Sequence, residues 1–505
     1  MTDQSIAGPA AETGVPSRTF CPRERRRYVL VAAILASSMG FIDGSVLSIA
    51  IPALRADLSA TLADAQWVSN SYMLFLGSLI LIGGAAGDRF GLKRVFGIGI
   101  GLFVAASLVC AVAPTPLSLI VARAVQGVGA ALMVPGSLAI IAKAYPKDER
   151  GKAIGIWAAA SSLTTILGPV IGGFVLTMLG DWSWRLVFAI NLPLGAIALA
   201  LLWLRVPADE PAGTRALDLP GAFLASLGLM LIAFGLTGGS SESVPPVSHI
   251  LSYAGTGLLV FIGFLFWESR SKEPMLPLRL FANMGFSGAN ALTLTLYFAL
   301  SAVMFFLPMT MIAGWGVSAA EVSISFLPLG IALTILSSWA GSLADRFGPA
   351  PLIAGGATLV GFAFAGLGLT APLQNVWGVV LPLIALMGVG MGLVVSPLST
   401  AVMTAVEDAD TGTASGVNNA VARVAGLLAV ATMGFVAAFA FNRFLGDAAG
   451  SGMFFGLKPE DTLPPEAEAA RLAATNATFA VIAYINAGLS FVSAVIAWLT
   501  LEKKG

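Results

Sequence analysis

Three charged side chains lie inside long apolar stretches of this chain: Asp43, Arg123 and Arg423. A charge in the middle of a membrane span is costly, so an ionisable residue found there is a functional candidate by default. Burial favours the protonated form of an aspartate, whereas an arginine keeps its positive charge. A carboxylate that is protonated in one state and ionised in another is what proton coupling requires, and in its ionised form it also attracts cations.

Asp43 and Arg123 are predicted to act together. An arginine beside an acid favours the ionised acid, so a movement that separates the two side chains would release the acid to bind a proton. The alternatives are structural, because Asp43 could belong to a permanent ion pair or a helix kink, and Arg123 could bond only backbone carbonyls. We interpret Asp43 as the residue that couples proton and substrate, and Arg123 as its modulator.

Neutral polar side chains in the same stretches are candidates for the wall of a polar cavity. Gln126 follows Arg123 by three residues and therefore shares its helix face. Arg423 and the asparagines before it occupy neighbouring helix turns, where they would line a cavity or simply tie helices together. The predicted cavity-lining residues are Asn70, Tyr72, Gln126, Asn418, Asn419 and Arg423.

These residues must be positioned by membrane-spanning helices. Apolar residues make up 57% of the chain and charged residues 11%. About 20 apolar residues cross a hydrocarbon core about 30 Å thick, and lipid forces each span to satisfy its own backbone hydrogen bonds. The pattern predicts an all-α integral membrane protein. Its fourteen predicted spans are 28–51, 67–87, 95–113, 116–142, 153–179, 186–205, 219–239, 249–267, 284–313, 320–343, 350–370, 376–403, 412–441 and 476–500.

An internal repeat divides the chain. Asp88-Arg89-Phe90-Gly91 closes the second span and Asp345-Arg346-Phe347-Gly348 closes the tenth. Parallel repeats of this kind are typical of secondary transporters. The predicted units are a cytoplasmic tail (1–27), a six-helix bundle (28–205), a linker with two extra spans (206–283) and a second six-helix bundle (284–505) with an external loop (442–475). The loop would be a lid or disordered, with disorder favoured near 461–468.

The repeated turns carry charges that could join the halves. An acid at a helix end can meet the N-terminus of an opposing helix or an arginine of the other half. The alternative for a single copy is a basic turn that reflects topology alone, but two copies at equivalent places favour a charge latch. The predicted latch residues are Asp88, Arg89, Arg94, Asp345 and Arg346.

The distribution of basic residues predicts the topology. Most lysines and arginines between spans fall on the side of both termini, which the positive-inside rule makes cytoplasmic. The exceptions are Arg55, Arg185, Arg443, Lys458 and Arg471. His249 is the sole histidine, and the two cysteines are far apart in the chain, so no metal site is predicted.

The repeated turn resembles a loop signature of the major facilitator superfamily, although Leu92 stands where a basic residue is usual. Four further blocks are similar, in order, to signatures of its drug:proton antiporters, and the last of them is typical of the branch with fourteen spans. These blocks are 41–52 (Phe-Ile-Asp…Ile-Ala-Ile-Pro), 123–129 (Arg-Ala-Val-Gln-Gly-Val-Gly), 168–173 (Gly-Pro-Val-Ile-Gly-Gly) and 184–195 (Trp-Arg-Leu-Val-Phe-Ala-Ile-Asn-Leu-Pro-Leu-Gly). The third block resembles the antiporter signature of the fifth span. The resemblance points to Gly168, Pro169, Gly172 and Gly173, although Thr164 replaces an expected glycine.

The resemblance implies a major facilitator fold with two six-helix bundles and two inserted central helices. It implies a proton-coupled antiporter of the inner or plasma membrane that exports amphipathic, cationic drugs or toxic compounds by alternating access. The alternative is an exporter of one metabolite, such as an amino acid, a siderophore or a self-made antibiotic. We expect no enzymatic activity, no cofactor and no nucleic-acid partner; its partners would be its substrates, protons and lipid, and no adaptor protein is identified. No Walker lysine is found, so the proton gradient is the expected energy source.

Overall fold

The computed structural model of the protein describes residues 19–211, 213, 216–238, 244–446, 453–459 and 462–502. Fourteen helices in this part of the chain are long and apolar enough to cross a membrane, which confirms the predicted all-α architecture. They are α1 (Arg23–Leu58), α2 (Leu62–Phe90), α3 (Leu92–Ala111), α4 (Pro116–Ala144), α5 (Lys147–Leu179), α6 (Asp181–Arg205), α7 (Leu219–Thr237), α8 (Val247–Arg270), α9 (Met284–Gly314), α10 (Ala319–Phe347), α11 (Pro349–Leu373), α12 (Val376–Thr404), α13 (Asp408–Leu445) and α14 (Pro465–Thr500).

Several helices extend beyond their predicted spans. Helix α1 begins at Arg23, so residues 23–27 of the predicted tail are its first turn. Helix α14 begins at Pro465, so the disorder expected near 461–468 is wrong from that residue onward. Both helix starts are polar, and hydropathy alone therefore places them outside the span. Parts of the predicted units lie outside the described residues: 1–18 of the tail, 212, 214–215 and 239–243 of the linker, 447–452 and 460–461 of the predicted external loop, and 503–505.

Local sequence explains where the helices begin and end. Thr61 and Asp64 form a capping box at the start of α2, and Ser318 and Glu321 form one at the start of α10. Glu321, an acid near the end of an apolar stretch, therefore has a capping role. The glycine of each repeated turn has positive φ, 91° at Gly91 and 82° at Gly348, which is the left-handed region that favours glycine. We call the side of the protein that carries these turns the repeat side, and the other the opposite side.

The helices pack as two groups with a shared interface. In the first, α4 packs between α2 and α3, and α1 packs on α5 and α6. In the second, α11 packs on α12 and α14, α10 packs on α12, and α9 packs on α13 and α14. The groups meet where α2 crosses α13 and where α5 crosses α10.

The two additional helices form a hairpin against this interface. Helices α7 and α8 pack on each other, and α7 contacts both α2 and α13. Ser226 of α7 donates a hydrogen bond to Ser78 of α2 (2.8 Å). A buried apolar cluster joins α7 to the same two helices and consists of Leu74, Leu229, Ala233, Leu427 and Ala431. The inserted hairpin therefore touches both groups at once.

The groups are held together on the opposite side. There the backbone N–H of Ala320 in α10 donates to Thr177 Oγ1 in α5 (3.0 Å). Arg55 Nη1 of α1 donates to the carbonyl of Phe455 in the loop between α13 and α14 (2.8 Å), and Phe455 is buried against Phe306 of α9 and Phe441 of α13. The described part of this loop, 453–459, is thus packed against the helices; whether it acts as a lid stays a prediction.

The repeat side of α5 has a different environment. An ideal Cβ built at Gly151 or Gly155 meets no atom within 4 Å outside its own helix. The two groups are therefore in contact on the opposite side, whereas Gly151 and Gly155 on the repeat-side half of α5 face open space.

Candidate functional site

Asp43 and Arg123 form a buried ion pair inside the first group of helices. Arg123 Nη1 of α4 donates to Asp43 Oδ2 of α1 at 2.5 Å. The exposed fraction is 0% for the Asp43 side chain and 1% for that of Arg123. The structure thus brings together the two charges that were predicted to act together.

Gln126 completes the coordination of the acid. Its Nε2 donates to Asp43 Oδ1 (3.0 Å), and its Oε1 accepts from Arg123 Nη1 (2.7 Å). Both carboxylate oxygens of Asp43 therefore have a donor, and one of these donors is charged.

A second layer of neutral polar groups holds Gln126 and Arg123. Ser107 Oγ of α3 accepts from Gln126 Nε2 (2.9 Å) and from Asn191 Nδ2 of α6 (3.2 Å). Arg123 Nε donates to the carbonyl of Val68 in α2 (3.0 Å). Our sequence analysis missed Ser107 and Asn191; the signal available for them was a neutral polar residue inside an apolar stretch. The site is thus built by α1, α2, α3, α4 and α6.

Aromatic rings cover the arginine. The Arg123 guanidinium lies 4.3 Å from the Tyr72 ring centroid and 5.6 Å from that of Phe188. Such contacts contribute about 0.5–2 kcal/mol depending on desolvation. Removing one partner of a buried ion pair costs about 3–5 kcal/mol, because the other charge remains buried and unpaired. The pair is therefore stable only while its helices stay packed.

Asn70 lies on the same helix as Tyr72 but outside this network. It is fully buried, and within the described part of the chain neither its amide nitrogen nor its amide oxygen has a hydrogen-bond partner. Each buried donor or acceptor without a hydrogen-bond partner lowers the stability of the folded protein by about 1–3 kcal/mol. Of the two candidates on α2, the structure places only Tyr72 against the ion pair.

The candidates on α13 point in different directions. Asn418 Nδ2 donates to Thr293 Oγ1 (2.7 Å) and to Asn290 Oδ1 (3.3 Å), which joins α13 to α9. Asn419 donates to the carbonyl of Ser415 in its own helix. Only Asn418 therefore belongs to a polar cluster between helices, and its partners on α9 were missed by our sequence analysis.

Arg423 is partly buried at the crossing of α2 and α13. Its Cβ lies 3.1 Å from the position that a Cβ on Gly77 of α2 would take. The absence of a side chain at Gly77 thus makes room for Arg423 where the two groups of helices meet. A permanent positive charge lies at this interface.

The glycines of the predicted antiporter helix face two different neighbours. Gly168 and Gly172 of α5 pack against α1, where an ideal Cβ would contact Ile42 and Val46 respectively. Gly173 packs against α10 of the other group, where a Cβ would clash with Ser323 and lie 2.5 Å from the carbonyl oxygen of Ala319. Gly173 therefore permits the close contact that joins the groups on the opposite side.

Pro169 lies inside the α-helix, and Thr164 replaces the glycine that the resemblance leads one to expect. The hydroxyl of Thr164 lies 3.1 Å from that of Ser38 in α1, within hydrogen-bonding distance. The substitution thus adds a hydrogen bond between α1 and α5 in place of a close backbone approach.

Asp209, in the segment that follows α6, forms hydrogen bonds with the turn after α2. Asp209 accepts hydrogen bonds from the backbone N–H groups of Leu92 and Lys93 (2.9 Å each), which cap α3, and from Lys143 Nζ (2.8 Å). Burial raises the pKa of Asp209, but these donors outweigh it and hold the pKa below its ordinary value. This acid was not singled out by our sequence analysis, because nothing in its local sequence links it to the turn.

The predicted latch residues lie at the repeated turns. The Arg89 guanidinium lies 5.3 Å from the ring centroid of Phe90, and that of Arg346 lies 5.2 Å from the ring of Phe347. The two turns thus share a local arrangement. The latch role of Asp88, Arg89, Arg94, Asp345 and Arg346 stays a prediction.

Comparison with known proteins agrees with this architecture. Residues 33–430 match the family model described as the Major Facilitator Superfamily. The chain is 34% identical to an uncharacterized MFS-type transporter of Mycobacterium tuberculosis, with 83% of this chain and 72% of that protein covered. It is 31% identical to a multidrug resistance protein B homolog of the same organism (81% and 76% covered). It is 32% identical to a probable actinorhodin transporter of Streptomyces coelicolor (82% and 73% covered).

Among solved structures, the fold is similar to that of a bacterial homolog of the human lysosomal transporter Spinster in an inward-facing, unoccupied conformation. The TM-score is 0.66 at 18% identity, with 96% of this chain and 100% of that chain covered. The fold is also similar to that of a D-xylose–proton symporter, with a TM-score of 0.63 at 16% identity (94% and 98% covered).

Proposed function

This chain belongs to the Major Facilitator Superfamily, and on that premise we propose that it is an efflux transporter that exports amphipathic small molecules in exchange for protons. Export is supported by relatives named for multidrug resistance and for actinorhodin transport. Exchange for protons is our inference, and the buried Asp43–Arg123 pair is the observation that carries it.

Asp43 is proposed to carry the coupled proton. In the present conformation its carboxyl group is fully buried and held by Arg123 and Gln126. A rearrangement within the first group that separates α1 from α4, coupled to the rocking of the two groups, would open a path for a proton to Asp43. A protonated Asp43 no longer attracts Arg123, so the proton would stabilise the second conformation until it is released on the other side.

The electrical gradient can contribute to this exchange. One elementary charge that crosses 100 mV releases about 2.3 kcal/mol, which exceeds the 1.4 kcal/mol of a tenfold concentration ratio. Exchange of one proton for one neutral substrate would use this energy. Exchange for a monovalent cation would instead depend on the pH difference alone.

The burial of Asp43 bears on the substrate. A cationic drug could meet Asp43 only after Arg123 has moved, since both carboxylate oxygens are occupied in this conformation. The groups at the helix interface, Arg423 and the polar cluster around Asn418, are therefore the better candidates for the first contact with substrate. We propose that amphipathic character is required for export and that a positive charge on the substrate is not.

The repeat side is proposed to face the cytoplasm of a cell whose plasma membrane holds the protein. Support comes from the lysines and arginines of the loops, most of which lie on that side. The closed opposite side and the open space beside Gly151 and Gly155 would then describe a conformation ready to take up substrate from the cell.

An exporter of a single compound is a second candidate. The relative named as a probable actinorhodin transporter, together with one named as a cephamycin export protein (33% identical), favours it. Such an exporter would use the same coupling pair. The two candidates differ only in how many compounds the protein moves.

Transport into vesicles tests both candidates. Purified protein is reconstituted into liposomes with an acidic lumen, and uptake of ethidium and of a panel of antibiotics is followed. The proposal expects uptake that stops when an ionophore collapses the pH difference. Uptake that needs an alkaline lumen, or that ignores the ionophore, would contradict proton antiport; uptake of one compound alone would favour the second candidate.

A further inference from the structure

The inserted hairpin carries a pair of buried acids at its repeat-side end. Asp218 caps the start of α7 and Glu268 lies near the end of α8. The exposed fraction is 8% for Asp218 and 3% for Glu268. Carboxylates are almost never buried to this degree without a partner.

The outer oxygens of the two acids have ordinary donors. Asp218 Oδ1 accepts from the backbone N–H of Gly221 and from Trp267 Nε1, both at 2.9 Å. Glu268 Oε2 accepts from the backbone N–H of Leu276 at 3.0 Å, which fastens the segment after α8 to the hairpin.

The inner oxygens have none. Within the described part of the chain, Asp218 Oδ2 and Glu268 Oε1 are buried without a hydrogen-bond partner. They are also neighbours, because an ideal Cβ at Gly221 would lie 2.6 Å from each of them. Two ionised carboxylates that face the same point in a buried place repel each other, whereas a single proton shared between them satisfies both oxygens.

Among the described residues, the surrounding charges offer no substitute for that proton. On α8 and the segment after it, Arg270 is exposed over the Phe266 ring, Lys272 is exposed, and Glu273 accepts from the backbone of Ala216. On the packed helices, Asp88 and Arg89 end α2, and Asp410 of α13 pairs with Arg279. Arg215, the nearest cation in sequence, lies outside the described residues and is therefore included in the test.

We propose that Asp218 and Glu268 form a proton-binding site separate from Asp43, in which one proton is shared by Asp218 Oδ2 and Glu268 Oε1. Loss of that proton leaves two repelling charges at the end of the hairpin. Glu268 then moves away, and the segment that it holds through Leu276 is released. Since α7 touches both groups of helices, the site makes their contact with the hairpin sensitive to pH.

Infrared difference spectroscopy of the full-length protein in lipid nanodiscs tests the site. Spectra are compared through the C=O stretch of protonated carboxyl groups between alkaline pH and about pH 6, where exposed carboxyl groups are already ionised. All measurements are made in an Asp43→Asn background, so that the coupling residue contributes nothing and failure of the proposed transport function does not affect the result. We expect one carboxyl band that Asp218→Asn and Glu268→Gln each abolish, because the two acids share one proton.

The controls make each outcome decisive. Glu273→Gln removes a neighbouring exposed acid and should leave the band unchanged, and Arg215→Gln should do the same. Gly221→Ala places a methyl group between the inner oxygens and should shift the band. The site is overturned if the band survives either acid substitution, if the two substitutions remove separate bands, or if Arg215→Gln creates the band.

The thermal unfolding midpoint gives a second test of the site, independent of the infrared band. The thermal midpoint of the parent protein should fall as pH rises, whereas Glu268→Gln should abolish that fall, because its amide donates to Asp218 Oδ2 at every pH. A midpoint that depends on added Mg²⁺ at alkaline pH would show a cation site in place of a proton site.

Discussion

Replacement of Gly173 by alanine should shift the protein towards conformations that are open on the opposite side. The added Cβ would clash with Ser323 and lie 2.5 Å from the carbonyl oxygen of Ala319. A backbone oxygen cannot move aside by changing rotamer, so the contact between α5 and α10 must loosen. Overpacking of this kind costs about 1–3 kcal/mol, which corresponds to about a 5–150-fold shift in the equilibrium between the two conformations.

The shift is measurable as a distance between the two groups of helices. Spin labels on cysteines introduced at Met178 of α5 and Leu373 of α11 report the opposite side, where both positions are exposed. The two native cysteines are buried, so the introduced cysteines are labelled selectively. Double electron–electron resonance should show a longer distance for Gly173→Ala than for the parent protein.

Two glycines of the same helix supply the controls. Gly155→Ala adds a methyl group where no atom lies within 4 Å, and Gly172→Ala adds one that meets only Val46 of the same group of helices. Neither should lengthen the distance between the groups. The reasoning is refuted if Gly173→Ala leaves the distance distribution unchanged, or if Gly155→Ala changes it as much.

Two further predictions concern contacts made by loops. Asp209→Asn should destabilise the protein at neutral pH by about 1–3 kcal/mol, because it removes charge-assisted bonds to Lys143 and to the start of α3. Since the pKa of Asp209 is lowered in the folded protein, the difference from the parent should disappear as pH falls through that value. Thermal unfolding is measured across acidic pH, and a difference that stays constant would show that the bonds of the ionised carboxylate are not its cause. Arg55→Ala should loosen the loop segment 453–459, because it removes the hydrogen-bond donor to the carbonyl of Phe455. A cysteine that replaces Lys458 should then react faster with a polar maleimide. Arg443→Ala, at an exposed arginine, is the matched control, and equal rates in the two variants would count against the clamp.

The Asp43–Arg123 pair could be predicted because both charged residues lie in otherwise apolar sequence. An acid and an arginine stand out in apolar sequence, and their energetic penalty in a membrane implies a partner or a function. Ser107 and Asn191 carry no such penalty, since a small polar residue in a helix can bond its own backbone. Their role is visible only once α3 and α6 are packed against α4.

Other features depend on packing that no local pattern encodes. Gly172 and Gly173 are adjacent in sequence, but one faces α1 and the other faces α10. Asp209 belongs to a polar linker, and its bonds reach the start of α3 more than a hundred residues earlier. The span pattern places fourteen helices across the membrane; the side of each helix that meets a neighbour requires the structure.

The central claim is that Asp43 carries the proton that drives export, and one comparison of two transport modes tests it most directly. Liposomes with wild-type protein or Asp43→Asn are assayed for uptake driven by a pH difference and for exchange of labelled against unlabelled substrate at equal pH. The asparagine oxygen can still accept a hydrogen bond from Arg123, although its amide nitrogen cannot replace the second acceptor for Gln126, so the thermal midpoint of the variant is checked before exchange is measured. The account predicts that Asp43→Asn keeps exchange and loses uptake driven by the pH difference. Full pH-driven uptake in Asp43→Asn would contradict it.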